Sequence, residues 1–274
     1  MTMTTQSARA RVNRSYVDAR FGQVHLRIAR PASDTGKVPL LCFHMSPHSS
    51  RAYAGFLAAM GVDRVAVAPD TPGFGESDAP AQPPSIEDYA AAMGDVIDVL
   101  GLETVDLMGY HTGSEIGVAL ALARRQQVRR LVLVSAPIFT PAELIELHRL
   151  YDHDPITVDG SHLLKKWQSH VQWAGPGKTL DMIGDNFHDA LRNPAISWWG
   201  HNAAFSYDMA GQLARVTQPI LVLNPDDDLH QHTLRATGKM QEGRIVHLPN
   251  WGHGFLDVHT DEARRIVTDF LDAP

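Results

Sequence analysis

The sequence reads Val105-Asp106-Leu107-Met108-Gly109-Tyr110-His111-Thr112-Gly113 at the point that decides the fold. The apolar run at its start predicts a buried strand, and residues 114–125 are typical of a helix. Between them, two glycines let strand and helix approach closely, so the central residue of the turn holds a strained backbone and points its side chain outward. That central residue is His111.

Strand-like and helix-like segments alternate on both sides of this turn. Strands are predicted at residues 17–21, 23–29, 38–43, 64–68, 104–108, 131–135, 219–223 and 244–248. Helices are predicted at residues 49–60, 85–100, 114–125 and 261–271. The first two strands are expected to form a hairpin around Gly22, and the alternation indicates an α/β fold with a mostly parallel, doubly wound sheet of eight strands.

The alternation stops after Pro137. We therefore expect a core made of residues 1–137 and 214–274, with residues 138–213 inserted as a helical lid above the carboxyl edge of the sheet, where ligands of such sheets bind. The insertion contains four of the five tryptophans, namely Trp167, Trp173, Trp198 and Trp199. They favour an apolar or aromatic substrate over a sugar or a phosphate.

Composition excludes several classes of protein. The chain has 274 residues, 20% of them charged and 44% hydrophobic, and a net charge of −7 with no basic face, so we expect no nucleic-acid partner. No apolar stretch approaches the ~20 residues that span a bilayer, so no membrane partner is expected. The single cysteine, Cys42, is compatible with a reducing compartment, and we expect a cytoplasmic protein. The first seventeen residues are expected to be a loosely ordered arm rather than a transit peptide, and a homodimer is left open.

Four motifs, taken in chain order, resemble those of the α/β-hydrolase superfamily. They are the loop at residues 42–47, the turn around His111, the acidic turn at residues 224–228 and the loop at residues 250–255. The resemblance covers residues 15–272 and implies the lidded, single-domain form of that fold. In that superfamily the residue at the position of His111 is normally the nucleophile, so the reaction remains open.

The resemblance also implies an acid and a base. Asp228 is the best match to the family's acid, and Asp227 is second, because Pro225 replaces the usual glycine and leaves the register open. His253 matches the base. In such a pair the carboxylate orients the imidazole and stabilises its protonated form, while the other ring nitrogen exchanges a proton at the reacting centre.

An oxyanion hole and a binding surface complete the predicted site. The segment at residues 42–47 resembles the family's His-Gly segment, with Met45 in place of the glycine, so the backbone N–H groups of Met45 and Thr112 are expected to form the hole. The substrate-binding candidates are Ser46, His48, Tyr110, Trp167, Trp198, Trp251 and Phe255. For Ser46 and His48, a role in capping the loop is equally open.

Histidine at the turn allows four roles. It could attack the substrate directly, act as a general base for water, abstract a proton in a lyase or cofactor-free oxygenase, or bind a ligand in a protein without turnover. Facing histidines titrate as a coupled pair, so we expect the positive charge on His253, beside Asp228, and a neutral His111.

We expect no cofactor and no metal. Four histidines, His44, His48, His111 and His253, could be imagined around one ion, but paired ligand spacing such as His-Glu-x-x-His is missing. The favoured function is hydrolysis of an ester, a lactone or an activated carbon–carbon bond in a small apolar or aromatic carbonyl substrate. The alternatives are a lyase or cofactor-free oxygenase that uses the histidine pair as base, and a non-catalytic small-molecule-binding protein.

Overall fold

The computed structural model describes residues 8–151 and 156–274. Its sheet has eight strands in the spatial order β1-β2-β4-β3-β5-β6-β7-β8. The strands are β1 Val12–Ala19, β2 Gly22–Ala29, β3 Leu40–Phe43, β4 Ala66–Pro69, β5 Val105–Tyr110, β6 Val128–Val134, β7 Ile220–Pro225 and β8 Gly243–Leu248. The pairs β1–β2 and β2–β4 are antiparallel and all other pairs are parallel, which confirms the predicted fold class.

Helices follow the strands on both faces of this sheet. Within the described residues they are α1 Ala54–Met60, α2 Ile86–Val99, α3 Thr112–Ala123, α4 Pro141–Leu150, α5 Ser161–Trp173, α6 Leu180–Ala190, α7 Trp199–Phe205, α8 Met209–Leu213, α9 His230–Thr233, α10 Phe255–Val258 and α11 Thr260–Leu271. Short 3-10 turns at Ser50–Tyr53 and Leu234–Ala236 precede α1 and follow α9. None of these helices is both long and apolar enough to cross a bilayer.

The central strands are apolar on both faces because both faces are covered. Strands β3 to β7 are buried along nearly their whole length. On one face Met93 of α2 and Ile116 of α3 belong to the core, and on the other Phe56 of α1 and Val267 of α11 do. This two-sided packing explains why the strands read as continuous hydrophobic runs rather than alternating ones.

The carboxyl ends of β3, β5, β7 and β8 meet at one edge of the sheet, so the loops that follow them converge there. Helices α4 to α8 lie between β6 and β7 in sequence, in the segment predicted as a lid. The segment contacts the loop after β8 directly, since the backbone N–H of His253 donates to the carbonyl of Trp173 at 3.0 Å.

The first strand begins earlier than the sequence indicated. The expected strand at residues 17–21 is in fact Val12–Ala19, which pairs with β2 from Val12↔Ala29 to Ala19↔Gly22. Residues 12–17, expected in a loosely ordered arm, therefore belong to the sheet, because hydrogen bonding to β2 overrides their polar composition. The rest of that prediction, for residues 1–7, lies outside the described residues.

Candidate active site

His111 occupies a sharp turn between β5 and α3. Its backbone has φ 50° and ψ −112°, in a region that residues with a side chain rarely adopt. A Cβ atom on Gly109 would meet the carbonyl oxygen of Gly113 at 2.2 Å, and one on Gly113 would meet the carbonyl oxygen of Phe43 at 2.0 Å. Glycine is therefore required on both sides of His111, and the turn directs the imidazole into a cavity at the sheet edge.

A buried carboxylate holds the His111 ring. Nε2 of His111 lies 2.8 Å from Oδ2 of Asp227, whose side chain is fully buried. The other oxygen of Asp227 accepts the backbone N–H of Leu229 at 2.9 Å. Because an ionised carboxylate only accepts hydrogen bonds, neutral His111 carries its proton on Nε2 and keeps a lone pair on Nδ1.

A second pair forms beside it. Nε2 of His253 lies 2.7 Å from Oδ1 of Asp228. Burial disfavours the charged form of His253, but the hydrogen bond and the charge of Asp228 outweigh it and raise the pKa of His253 above its ordinary value. Burial likewise opposes ionisation of Asp228, yet the hydrogen bond from His253 leaves the pKa of Asp228 well below its usual range. The pair therefore favours the imidazolium form of His253 and the carboxylate form of Asp228.

The two imidazoles face each other edge to face. Their ring centroids are 5.0 Å apart and their planes are inclined by 82°. The ring of Tyr110 packs behind both, with its centroid 4.8 Å from that of His111 and 6.4 Å from that of His253. The arrangement therefore brings two independently oriented histidine–aspartate pairs to one point of the cavity.

These four side chains are also the group that could hold a metal. Their ligand atoms all lie within 4.8 Å of one another. Around a tetrahedral zinc with nitrogen and oxygen ligands at about 2.0–2.1 Å, neighbouring ligand atoms stand roughly 3.3 Å apart. The His111–Asp227 and His253–Asp228 separations, at 2.8 and 2.7 Å, are shorter than that and fit charge-assisted hydrogen bonds. In the structure the four side chains therefore form two histidine–aspartate pairs, and the same atoms stay candidate ligands for an ion.

The cavity above the pairs has a volume of about 390 Å³ and mixed walls. Its apolar part includes Leu150, Ile183 and Leu191. Its polar part includes three further histidines whose burial lowers their pKa: His170, His48, which falls well below the ordinary value, and His201, which falls to about 4. Burial thus favours the neutral form of these three, whereas Asp228 favours the charged form of His253.

Lysines contribute charge at the lid side of the cavity. Lys165, Lys166 and Lys178 are part of its lining. Lys178 is almost fully buried and its ammonium lies 2.8 Å from the carboxylate of Asp257, on α10. The cavity therefore offers cationic groups as well as apolar surface.

The predicted oxyanion loop has a well-defined anchor. His44 is buried, its Nε2 accepts the backbone N–H of Thr71 at 2.8 Å, and its Nδ1 donates to the carbonyl of Met45 at 2.9 Å. Both nitrogens of a neutral imidazole are thereby used, and burial lowers the pKa of His44 accordingly. Met45 lines the cavity, and Thr112 begins α3, where the first N–H groups have no carbonyl partner within the helix.

The predicted site residues separate into two groups. Those that line the cavity are Met45, Ser46, His48, His111, Trp198, Asp228 and His253. Those that do not are Thr112, Tyr110, Trp167, Trp251 and Phe255. Packing explains the second group: Thr112, Tyr110 and Phe255 are buried in the core, the indole of Trp167 packs on Phe187, and that of Trp251 stacks on His259.

Sequence reasoning missed several groups that the structure brings to the site. Asp227 was considered only as a substitute for Asp228, whereas each carboxylate has its own histidine. The lid supplies the rest, namely Lys178, His170, Trp173 and His201. The sequence contained a usable signal for Asp227, because it has two adjacent aspartates and two site histidines. It contained no such signal for the lid residues, because the orientation of the lid helices could not be predicted.

Comparison with known proteins gives a consistent result. Residues 38–155 match a family model described as alpha/beta hydrolase fold. The chain is 26% identical to a 2-hydroxy-6-oxononadienedioate/2-hydroxy-6-oxononatrienedioate hydrolase of Dechloromonas aromatica (strain RCB), over 99% of both proteins. The enol-lactonase of Burkholderia xenovorans LB400 superposes with a TM-score of 0.77 at 18% identity, over 94% of this chain and 100% of that one. A meta-cleavage product hydrolase of Pseudomonas fluorescens IP01 gives 0.76 at 16% identity, over 94% and 97%.

Proposed function

We propose that this chain, which is similar to α/β-hydrolases in sequence and in fold, hydrolyses a small carbonyl compound with a pair of histidine–aspartate dyads in place of a serine nucleophile. The observation that carries the proposal is the facing of His111 and His253, each bonded to its own aspartate, at the floor of one cavity. One imidazole is available as a base and the other carries a proton, which is what acid–base hydrolysis needs.

In the proposed reaction, Nδ1 of His111 accepts a proton from water while the water oxygen bonds to the carbonyl carbon. The carbonyl oxygen becomes negative and accepts a hydrogen bond from the N–H group of Met45, which lines the cavity. The carbonyl then re-forms, the bond to the leaving group breaks, and His253 gives its proton to the leaving oxygen or carbon. His253 thus begins as the proton donor, although the sequence pattern had suggested it as the base.

For the substrate, we propose a carbonyl compound with an apolar body and a carboxylate. The apolar walls suit the body, and Lys166 favours an anionic group at the lid side. The similarity to an enol-lactonase, to a 2-hydroxy-6-oxononadienedioate hydrolase and to a meta-cleavage product hydrolase supports enol lactones and activated carbon–carbon bonds alongside simple esters. A purely apolar or aromatic substrate would make fewer contacts with this lining, because it has no anionic group for the cationic part.

The test is a substrate panel with two histidine variants. The panel contains aryl acetates, an enol lactone, a β-diketone and a 2-hydroxy-6-oxodienoate, each with and without an added carboxylate. We expect turnover of at least one compound, and a loss in kcat of about 10²–10⁴-fold for both His111→Ala and His253→Ala. His188→Ala, on the exposed face of α6, is the matched control and should keep full activity.

Other outcomes discriminate between the alternatives. Unchanged turnover in both variants contradicts the proposed chemistry. Oxygen uptake with the same substrates identifies an oxygenase, and saturable binding without product identifies a binding protein. Turnover that disappears after dialysis against a chelator and returns with zinc shows that the four ligand atoms hold an ion in the active protein.

A further inference from the structure

A second cavity lies outside the histidine site and is lined by four arginines. It has a volume of about 250 Å³ and opens between the β1–β2 hairpin, the loop after β4 and the end of the lid helix α6. The arginines are Arg14, Arg27, Arg51 and Arg192. We call this space the arginine cavity.

Two of these arginines face each other across the hairpin. Arg14 of β1 and Arg27 of β2 are directly opposed in the antiparallel register. Like charges at opposed positions destabilise a strand pair. Because these two opposed arginines lie on the wall of a cavity, their position indicates a role other than stabilising the hairpin.

Arg27 lacks a partner within the described part of the chain. It is partly buried, its Nε is fully shielded without a hydrogen bond, and no carboxylate there forms an ion pair with it. Burial lowers the pKa of Arg27, and the charges of Arg51 and Arg14 lower it further. The nearby charge of Asp70 opposes this lowering, and guanidinium stays charged in proteins, so Arg27 presents to the cavity a cation that no described carboxylate hydrogen-bonds.

The acids of this cavity are already engaged. Asp70 accepts three hydrogen bonds, from the backbone N–H groups of Ser50 and Glu76 and from Nδ1 of His25. Glu76 forms an ion pair with Arg192. Arg51 forms an ion pair with the buried carboxylate of Asp189, so four guanidinium groups meet three carboxylates, in a chain whose net charge is −7.

A buried histidine adds an unsatisfied polar atom. His25 is 2% exposed and lines the cavity. Its Nδ1 lies 2.9 Å from Oδ2 of Asp70, and within the described residues its buried Nε2 has no hydrogen-bond partner.

We propose that the arginine cavity binds the oxyanion group, phosphate or carboxylate, of a small molecule. Guanidinium groups recognise both anions by paired N–H donors. The arginine cavity is distinct from the cavity of the histidine site. Ser49 lines the arginine cavity, whereas the adjacent His48 lines the histidine cavity. The N–H and hydroxyl groups of Ser49 are bonded to Asp189, which lies between the two cavities. The inference is independent of the proposed hydrolysis.

The test is calorimetric titration of the full chain with inorganic phosphate and, separately, with malonate, at constant ionic strength. We expect one saturable site for at least one anion, and the anion that binds more tightly identifies the source. Arg27→Met should weaken binding about tenfold or more, since it removes a charge-assisted contact. Arg265→Gln, an exposed arginine of α11, is the charge-matched control and should bind as the parent does.

Two further measurements keep the test decisive. Lys166→Met changes the histidine cavity and should leave the affinity for the anion unchanged. If Lys166→Met loses anion binding, the anion occupies the histidine cavity instead, and the proposal is overturned. Arg27→Met should melt no lower than the parent in the absence of anion, because it relieves the Arg14–Arg27 repulsion. Absence of saturable binding by both anions, or equal affinity in Arg27→Met and Arg265→Gln, also overturns the proposal.

Discussion

At the scale of single residues, the two adjacent carboxylates of the site have different surroundings. Asp227 is fully buried, and besides His111 it bonds the backbone of its own turn. Asp228 is about one-third exposed and bonds His253. Asp227 therefore fixes the orientation and tautomer of one ring, while Asp228 controls the charge of the other. A site with a single histidine–acid pair would not divide these two roles between two carboxylates.

The His253–Asp228 pair makes stability depend on pH. The folded pKa of His253 is raised, so its contribution is complete below the unfolded value of about 6.5 and is lost as the pH rises through the folded value. The folded pKa of Asp228 is lowered, so its contribution is present above about 3.9 and is lost as the pH falls below it. Asp228→Asn should therefore lower Tm by about 2–4 °C more at pH 5.5 than at pH 9. Asp185→Asn, on the exposed face of α6, should show no such difference in the same melting curves.

Serine-directed probes provide a second test at this scale. The hydroxyl of Ser114, which follows the turn, is buried and donates to the carbonyls of Gly109 and Val134 at 3.1 Å, so it is not available for attack. We expect an alkyl fluorophosphonate to leave the folded protein unlabelled, as measured by intact mass, under conditions that label a serine esterase completely. Stoichiometric labelling at Ser46 or Ser114 would refute the histidine-based site.

What could be predicted from the sequence depended on how local the determining contacts are. The turn at His111 and the helix predicted at residues 85–100 arise from local sequence, and both are found as predicted. The orientation of Trp167 depends on which side of α5 meets the core, which its sequence periodicity leaves open. The bond between Asp227 and His111 joins two turns 116 residues apart, and it depends on sub-ångström placement of their strands.

At the scale of elements, the contact between the turn and β3 controls whether the site can form. An Ala at Gly113 would place its Cβ 2.0 Å from the Phe43 carbonyl oxygen, whereas one at Gly117, a turn later in α3, meets open space. Gly113→Ala should lower the free energy of unfolding by about 1–3 kcal/mol. Gly117→Ala should raise it by up to about 1 kcal/mol, because alanine favours the helix. Urea unfolding curves measure both, and equal effects would show that the turn has room to adjust.

The lid and the catalytic loop meet at two glycines. A Cβ on Gly175 would lie 2.5 Å from the backbone nitrogen of Gly252, directly before His253. Gly175→Ala should therefore shift His253 and reduce kcat by at least about tenfold, since displacements near 1 Å are costly in catalysis. Gly184→Ala, in open space on α6, is the control. If both variants have the parent kcat, the lid does not position this loop.

At the scale of the whole molecule, the two ends of the sheet have different roles. The carboxyl end bears the histidine pairs, and the opposite end holds a network of charges around the buried Arg64. Asp106, in this network, belongs to β5, whose other end leads into His111, and the five-residue span of extended chain separates the two by roughly 17 Å. At that separation, through a rigid sheet, we expect changes in the network to alter stability and leave the chemistry intact.

Asp272 allows this separation to be tested. Its carboxylate bonds the fully buried Arg64 and the ammonium of Lys37, each at 2.6 Å, and so ties the C-terminus to the start of the sheet. Asp272→Asn keeps the shape but removes the charge, which should lower the free energy of unfolding by about 2 kcal/mol. Asp269→Asn, which breaks an exposed ion pair with Arg265, should cost less than about 0.5 kcal/mol. Below its melting range Asp272→Asn should retain the parent kcat and KM, and a drop in kcat at unchanged fold would show that the two ends of the sheet are coupled after all.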